Sequence, residues 1–273
     1  MRELQQHIID TLHVKPSIDP ALEVEARVNF LADYLRSTHT KGFVLGISGG
    51  VDSSLGGRLA QLAAQKIRDD GAEATFVAVR LPYKVQVDES DAQRALDFID
   101  ADRVVTFNIG DAVDAFESEY AGVIPTPMTD FTKGNTKARL RMVAQYAIAG
   151  DNQMLVVGTD HAAEAVTGFY TKFGDGGADV MPLAGLNKRQ IRKITEYLGA
   201  PQSVWEKKPT ADLLDATPGR LDEDELGLAY DDIDDFLEGK DVPHDVAEKL
   251  EAYFMRTRHK RTMPVAFYDS WWR

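Results

Sequence analysis

The sequence contains no cysteine among its 273 residues. This absence excludes disulfide bonds, zinc sites with thiolate ligands, iron–sulfur clusters and catalysis by a thiol. There is also no apolar run close to the roughly 20 residues that cross a lipid bilayer, and the amino-terminal segment MRELQQHIIDTLHVKPSIDP lacks the apolar core of a secretory signal. We therefore expect a cytoplasmic protein that does not contact membranes.

Basic residues are outnumbered by acidic ones, and the formal net charge is −13. General binding to nucleic acid requires a basic surface, so we do not expect it here. The acidity is uneven, since residues 212–251 contain 15 Asp and Glu but only 3 Lys and Arg. The basic residues gather in short clusters elsewhere. Such clusters suit a small anionic ligand better than a polymer, although solvated helix faces have the same composition.

Short apolar segments alternate with segments of helical periodicity along most of the chain. The strands predicted from this pattern are 42–47, 74–82, 103–109 and 154–158, and the helices between and after them are 53–68, 91–99, 111–120 and 135–149. The alternation predicts a parallel sheet with helices on both faces, which is a doubly wound, Rossmann-like α/β fold. In such sheets ligands bind beyond the carboxyl ends of the strands.

The remainder of the chain shows no clear linker, so we expect a single domain over residues 1–273. Apolar periodicity predicts one helix around residues 24–35 and another that Gly199 ends. Two acidic helices are predicted at about 225–238 and 243–257, within an acidic helical part at 225–258. The segment at about 203–225 has little periodicity and is predicted to be a lid-like loop that excludes water.

The junction between the first strand and its helix has an unusual composition, FVLGISGGVDSSLGG over residues 43–57. Gly49 and Gly50 would allow backbone amides to approach an anion closely, and the following helix begins with unpaired amides and a partial positive charge. Together these features favour a phosphate site. Asp52 would repel phosphate unless a cation such as Mg²⁺ lay between them. A tight turn with a capping Asp or Ser is the alternative.

The loop matches neither G-x-x-x-x-G-K-[ST] nor G-x-G-x-x-G. The complete pattern S-G-G-x-D-S after an apolar strand resembles the pyrophosphate-binding loop of the N-type ATP pyrophosphatases, whose fold is the adenine nucleotide alpha hydrolase type. The resemblance implies that ATP is cleaved between its α- and β-phosphates. AMP would be transferred to a carboxyl or carbonyl oxygen, and a nitrogen or sulfur nucleophile would then attack.

Five further segments resemble the ammonia-dependent NAD synthetase family, and with the loop they cover essentially the whole chain. They are 129–149, 158–192 (GTDHAAEAVTGFYTKFGDGGADVMPLAGLNKRQIR), 207–215 (KKPTADLLD), 224–239 and 259–261 (HKR). The resemblance implies that deamido-NAD, ATP and ammonia are converted to NAD, AMP and pyrophosphate through adenylated deamido-NAD, the last step of NAD biosynthesis. Residues implied to contact ATP are Gly46, Ile47, Ser48, Gly49, Gly50, Val51, Asp52, Ser53, Thr159, Lys188 and Thr210. Residues implied to contact deamido-NAD are Arg139, Lys172, Asp179, His259 and Lys260.

Asp52 and Glu164 are implied to be the catalytic carboxylates that hold Mg²⁺. A capping box beginning at Asp160 would need Glu or Gln at position 163, which is Ala, so capping explains Glu164 poorly. An exposed helical glutamate is the alternative. The aromatic residues of 168–182 could form a small core or contact a ring, with Phe169 as the stacking candidate. Asp160 or Asp179 is a candidate for deprotonating ammonium.

Glutamine-using relatives carry an added amidohydrolase domain with a cysteine nucleophile. The chain has neither the length nor the cysteine, so free ammonia is the expected nitrogen source, unless a separate subunit delivers it. The resemblance further implies a homodimer that binds deamido-NAD across its interface, with helix 135–149 as the candidate interface element. Two alternatives stay open: another AMP-forming synthetase with the same loop, such as the guanylate or argininosuccinate-forming types, or a non-catalytic nucleotide sensor with this fold.

Overall fold

The structure is a computed structural model that describes residues 1–84, 89–210, 215 and 219–273. Four strands form one sheet, and their bounds are β1 Gly42–Gly46, β2 Thr75–Arg80, β3 Arg103–Thr106 and β4 Leu155–Val156. All neighbouring strands are parallel, in the order β3-β2-β1-β4. Phe43 of β1 lies opposite Phe76 of β2 on one side and Leu155 of β4 on the other. This arrangement confirms the predicted parallel sheet.

Helices precede, connect and follow the strands. Those up to the end of the sheet are α1 Glu3–Leu12, α2 Pro20–Thr38, α3 Val51–Asp69, α4 Glu89–Ile99, α5 Gly110–Val123 and α6 Asp130–Asn152. Those after it are α7 Ala162–Thr167, α8 Lys188–Tyr197, α9 Gln202–Trp205, α10 Asp222–Leu226, α11 Tyr230–Leu237, α12 His244–Arg256 and α13 Arg258–Arg261. Among the described residues, no helix combines the length and the apolar character needed to cross a membrane.

Alternating side chains of the central strands enter two separate hydrophobic layers, as the pleat of a strand requires. Phe43 and Phe76 pack in one layer with apolar residues of α2, α3, α4 and α8. Val44 and Val77 pack in the other layer with residues of α5 and α6. Both faces of the sheet are therefore covered, which explains why the strand sequences are apolar throughout and confirms the doubly wound α/β fold.

A third apolar cluster joins the first helix to the carboxyl-terminal helices. Ile8 of α1 packs with Val166 of α7, Phe236 of α11 and Leu250 of α12. Asp234 of α11 accepts hydrogen bonds from the backbone amide of Lys188 at 3.0 Å and from that of Arg189 at 2.7 Å. The acidic carboxyl-terminal part thus caps α8 and fixes the position at which Lys188 begins that helix.

The third and fourth strands are shorter than predicted. The amide of Phe107 still donates to the carbonyl of Arg80, but regular pairing of β3 ends at Thr106 because this edge strand has no partner on its outer side among the described residues. β4 has only two residues, and beyond it Val157 still donates to the carbonyl of Val44 at 2.9 Å and forms an isolated parallel bridge with Val180. The predicted strands at 107–109 and 157–158 are therefore wrong in extent.

The predicted lid-like loop at 203–225 falls partly on residues 211–214 and 216–218, which lie outside the described residues. Its described ends contain short helices, α9 and α10, and an antiparallel bridge between Thr210 and Leu221. The prediction of a loop without secondary structure is therefore wrong for the two ends of this segment. The lid role stays a prediction.

Candidate active site

A cavity of about 770 Å³ opens at the carboxyl ends of β1 and β4. β1 is flanked by β2 on one side and β4 on the other, so the chain connections leave it in opposite directions and create a crevice at this point. Predicted residues in the cavity wall are Gly46, Ile47, Ser48, Gly50, Val51, Asp52, Ser53, Thr159, Glu164, Thr210, His259 and Lys260. The fold thus brings together segments that lie far apart in the sequence.

Two glycines shape the loop between β1 and α3. Gly49 has a φ of 85°, and a Cβ atom there would lie 2.9 Å from the backbone nitrogen of Ala92. Gly50 is the N-cap of α3 and supplies no side-chain cap. The first amides of a helix have no acceptor within the helix, so this end of α3 can donate to an anion in the cavity. The loop therefore has the glycine turn and the helix start on which the prediction of a phosphate site rests, and phosphate binding itself stays a prediction.

Serine hydroxyls hold the loop in shape. Ser53 Oγ donates to the carbonyl of Gly50 at 3.1 Å and lies 3.1 Å from Ser48 Oγ. Ser54 Oγ donates to the same carbonyl at 2.8 Å. Ser48 and Ser53 line the cavity whereas Ser54 is fully buried. Ser54 therefore acts on the loop conformation, and the other two hydroxyls can also reach a ligand.

Lys188, which was predicted to contact ATP, is buried behind the cavity wall. Its Nζ lies 2.9 Å from both carboxylate oxygens of Asp52 and 4.9 Å from the ring centre of Tyr230. Burial lowers the pKa of Lys188, but Asp52 and Glu164 outweigh this effect and raise it overall. Burial likewise raises the pKa of Asp52, and the charge of Lys188 outweighs it and lowers the pKa. The two groups form an ion pair.

His161 lies between the two predicted metal carboxylates and was missed by the sequence analysis. Its Nε2 is 3.5 Å from Asp52 Oδ1 and 3.5 Å from Glu164 Oε1. Neither ring nitrogen has a hydrogen-bond partner among the residues that the structure describes. Burial, followed by the charge of Lys188, lowers the pKa of His161 to about 3. The imidazole is therefore neutral at physiological pH.

Glu164 belongs to α7 and faces the cavity, so the alternative of an exposed helical glutamate is wrong. Burial, followed by the charge of Asp52, raises the pKa of Glu164 well above its usual value. Burial and the charges of Asp175 and Asp52 raise the pKa of Asp160 to about 7. Asp160 does not cap α7, since His161 is the N-cap residue. The carboxylates of this site therefore oppose one another's ionisation, and a cation between them would relieve that repulsion.

Four of the five predicted deamido-NAD residues, Arg139, Lys172, His259 and Lys260, lie close together, and the last two line the cavity. Lys260 Nζ donates to the carbonyls of Gly168 at 2.8 Å and Tyr170 at 2.7 Å. Lys172 Nζ donates to the carbonyl of His259, and Arg139 donates to the carbonyl of Lys172 at 3.3 Å. These bonds join α6, the 168–182 segment and α13, so the basic side chains lie on one continuous surface.

Six predicted residues lie outside the described cavity wall, namely Gly49, Lys188, Arg139, Lys172, Asp160 and Asp179. The carboxylate of Asp179 accepts from the amide of Val156 at 2.8 Å and from Tyr146 Oη at 3.2 Å. Asp179 therefore supports the end of β4, and a contact with deamido-NAD stays a prediction. Phe169 packs on the third apolar cluster and also lines the cavity, and its stacking on a ligand ring stays a prediction.

Comparisons with known proteins agree with this geometry. Residues 23–264 match the family model described as NAD synthase. A relative named NH(3)-dependent NAD(+) synthetase, from Bacillus cereus (strain ATCC 10987 / NRS 248), is 60% identical over 270 residues that cover 99% of each chain. The solved structure of NAD+ synthetase from Burkholderia pseudomallei is 49% identical with a TM-score of 0.82, covering 95% of this chain and 96% of that chain.

A second solved structure is similar in fold but bears a different name. The NMN synthetase from Francisella tularensis is 34% identical with a TM-score of 0.81, and the match covers 93% of this chain and 100% of that chain. The glycine loop, the carboxylates of the cavity and a family model that spans most of the sequence lead to one conclusion. The chain belongs to the NAD synthase family.

Proposed function

We propose that the protein is an amide-forming ligase that converts deamido-NAD, ATP and ammonia to NAD, AMP and pyrophosphate. One observation carries the proposal: the glycine loop ends at the amino terminus of α3, and a carboxylate pair, Asp52 and Glu164, lies in the same cavity wall. An anion site beside paired carboxylates suits a triphosphate that arrives with a divalent cation. The 60% identical relative named NH(3)-dependent NAD(+) synthetase supports the same reaction.

The described side chains fit a divalent cation. Ligand atoms of Asp52, His161 and Glu164 all lie within 4.8 Å of one another. We propose that Asp52 and Glu164 hold Mg²⁺, which when bound neutralises phosphate charge and polarises the phosphoryl oxygens. Burial and the charge of Asp52 raise the pKa of Glu164, so a cation bound between the two carboxylates would favour the ionised form of Glu164.

The loop would stabilise the departing pyrophosphate. Amides at the start of α3 and the hydroxyls of Ser48 and Ser53 are donors that are already in place, so little reorganisation is needed as charge develops. Lys188 adds a buried positive charge 2.9 Å from Asp52. The nicotinate carboxylate attacks the α-phosphorus, pyrophosphate leaves, and an acyl–AMP anhydride forms.

Ammonia then attacks the activated carbonyl and expels AMP, so no protein nucleophile is needed. The basic surface of Arg139, Lys172, His259 and Lys260 would bind the phosphates of deamido-NAD. Of the two candidates for deprotonating ammonium, Asp160 is favoured because its pKa of about 7 suits a base that operates near neutral pH. Asp179 already accepts two hydrogen bonds.

We further propose a homodimer through α5, α6 and β3. Large apolar side chains on these elements are exposed, including Phe107, Phe116, Val123 and Val143. Phe107 and Ile148 line one shallow groove between the sheet edge and α6. Exposed apolar surface of this kind is typical of an interface. The binding of deamido-NAD across this interface and a cytoplasmic location stay predictions.

A product assay tests the proposed reaction. Purified protein is supplied with ammonium, Mg²⁺-ATP and deamido-NAD whose nicotinate carboxylate carries ¹⁸O. We expect NAD, pyrophosphate and AMP containing one ¹⁸O atom, because a carboxylate oxygen stays with AMP when the amide forms. ADP as the product would contradict cleavage between the α- and β-phosphates. A parallel reaction with nicotinate mononucleotide tests the activity suggested by the Francisella tularensis relative, and we expect a much lower kcat/KM.

A further inference from the structure

His161 is unusual among the buried polar side chains because its imidazole makes no hydrogen bond to any described residue. The side chain is 1% exposed, and neither ring nitrogen has a hydrogen-bond partner in the described part of the chain. Leaving a buried polar atom without a partner costs about 1–3 kcal/mol. A protein retains such an arrangement where a ligand completes it, and the cavity beside His161 is where the ligand would enter.

The ring is aimed at the carboxylates. Nε2 lies 3.5 Å from one oxygen of Asp52 and 3.5 Å from one oxygen of Glu164, without hydrogen-bond geometry to either. Among the described residues, these three form the one group of His and carboxylate side chains whose ligand atoms converge within 4.8 Å. The neutral imidazole has a lone pair to offer.

The chemistry of this donor set differs from that of an all-oxygen site. Mg²⁺ prefers oxygen ligands, whereas an imidazole nitrogen favours divalent cations of the transition series. We infer that His161 is a third protein ligand of the cation held by Asp52 and Glu164, and that its nitrogen makes the site bind Mn²⁺ or Co²⁺ more tightly than Mg²⁺. This inference rests on the proposed function for the two carboxylate ligands and adds the third.

The local structure is suited to this role. His161 is the N-cap residue of α7 and Glu164 lies three positions later, so one short helix positions both side chains. Asp52 comes from the first turn of α3, across the cavity. Lys188 contacts Asp52 and does not contact Glu164 within the ion-pair distances that the structure describes. Glu164 lines the cavity, and His161 lies directly behind the two carboxylates that line it, 3.5 Å from each.

Manganese binding can be measured without turnover. Mn²⁺ is titrated into the complete protein, with no nucleotide and again with α,β-methylene-ATP, and the free ion is followed by electron paramagnetic resonance. Pulsed measurements on the bound ion report whether a nitrogen nucleus is coordinated. We compare wild type with H161L, H161N and E164Q, and with H244Q as the matched control. His244 is exposed and also lies near a carboxylate, 3.4 Å from Glu248.

We expect a directly coordinated nitrogen in wild type and H244Q, and its loss in both His161 variants. Loss of a residue that only supports a metal ligand weakens metal binding roughly tenfold to hundredfold. Loss of the ligand His161 itself should weaken Mn²⁺ binding at least as much. The affinity for Mg²⁺, measured by its competition with Mn²⁺, should change less, within about threefold, because Mg²⁺ gains little from an imidazole ligand. Thermal unfolding of each variant shows that it is folded.

The outcomes separate the two claims. Mn²⁺ that binds wild type and is lost in E164Q, but shows no nitrogen signal, overturns the role of His161 and leaves the carboxylate pair intact. A nitrogen signal that persists in H161L and H161N also overturns it. If Mn²⁺ binding is the same in wild type and E164Q, both the proposed carboxylate site and the third ligand are contradicted. The nitrogen signal is read on the wild-type protein, so misfolded variants would not remove the test.

Discussion

Lys188 and Asp52 form a buried ion pair between the first turns of two helices, α8 and α3, with Nζ 2.9 Å from both carboxylate oxygens. The two partners are not equally buried, since the Lys188 side chain is 1% exposed and that of Asp52 is 21% exposed. Asp52 can therefore reach a ligand in the cavity, whereas Lys188 depends on protein partners. The pair therefore joins the first turns of α8 and α3 and also presents the Asp52 carboxylate to the cavity.

Loss of Asp52 should destabilise the protein more than loss of Lys188. Asp52→Asn leaves a fully buried ammonium without its counter-charge, and breaking such pairs costs about 3–5 kcal/mol. Lys188→Met leaves a carboxylate that water can reach through the cavity, so its cost should be smaller. Urea unfolding of the two variants measures the difference. Equal destabilisation would contradict the asymmetry. Both variants should lose turnover, because Asp52 is a proposed cation ligand and Lys188 holds its carboxylate in place.

Gly49→Ala should impair ATP binding while Gly50→Ala is tolerated in the fold. At position 49 the φ of 85° and the 2.9 Å approach to the Ala92 backbone nitrogen both oppose a side chain. At position 50 the nearest atom to a new Cβ is Ser48 Oγ at 3.5 Å. Thermal unfolding and the KM for ATP measure the contrast. A KM for ATP that is unchanged in Gly49→Ala would show that the loop shape is unimportant.

Asp160→Asn should reduce the pH dependence of stability. The pKa of Asp160 is raised to about 7 from 3.8, so the folded state holds this proton more tightly between about pH 4 and 7. The stabilisation is present below pH 4 and lost as the pH rises through 7. We expect the fall in the free energy of unfolding between pH 5 and 8 to shrink by about 2–3 kcal/mol in the variant. Exposed Asp245→Asn serves as the control, and an unchanged slope in Asp160→Asn would contradict the assignment.

Arg139→Ala should raise the KM for deamido-NAD at least about tenfold, since a charge-assisted hydrogen bond contributes about 1.5–3 kcal/mol. The KM for ATP should change little because Arg139 lies in the basic surface, away from the glycine loop. Arg139→Lys retains the charge and should show a smaller effect. Steady-state kinetics with each substrate varied in turn measures both constants. Equal increases for the two substrates would remove Arg139 from the dinucleotide site.

Phe116→Glu should shift the protein towards monomer. Phe116 on α5 is 48% exposed and lies in the proposed interface, where a buried unpaired charge is costly. Phe30 on α2 is 45% exposed on the other face of the sheet, so Phe30→Glu is the matched control. Sedimentation velocity measures the assembly. A dimer that survives Phe116→Glu but not Phe30→Glu would place the interface on α2.

Much of the fold could be predicted from the sequence because the signals are local. The apolar strands, the helix after Gly50 and the periodicity of residues 24–35 each follow from short-range patterns. α1 was missed because its apolar face packs against α11 and α12, more than two hundred residues away in the sequence. The ends of β3 and β4 depend on their neighbours in the sheet, which no local pattern records.

The site residues that were predicted best belong to a sequence motif whose glycines set the backbone conformation of the loop. Ser48, Asp52, Ser53 and Glu164 all line one cavity. His161 was missed although it lies between two residues that the analysis considered, because a lone histidine before a helix gives no signal of burial. Lys188 was predicted as a ligand contact, yet its pairing with Asp52 could not be, since it depends on how α8 packs against α3. Gln145 Oε1 accepts a hydrogen bond from the backbone amide of Gly46 at 2.7 Å. This contact was also missed, because it depends on how α6 packs against β1.

The central claim is that the glycine loop holds the phosphates that leave as pyrophosphate. A crystal structure of the protein with α,β-methylene-ATP and Mg²⁺ tests this most directly, because the analogue cannot be cleaved at the proposed position. We predict that the β- and γ-phosphates accept hydrogen bonds from backbone amides of residues 48–53, with the cation between them and Asp52. Phosphates bound elsewhere, with none of these amides donating to the nucleotide, would contradict the account.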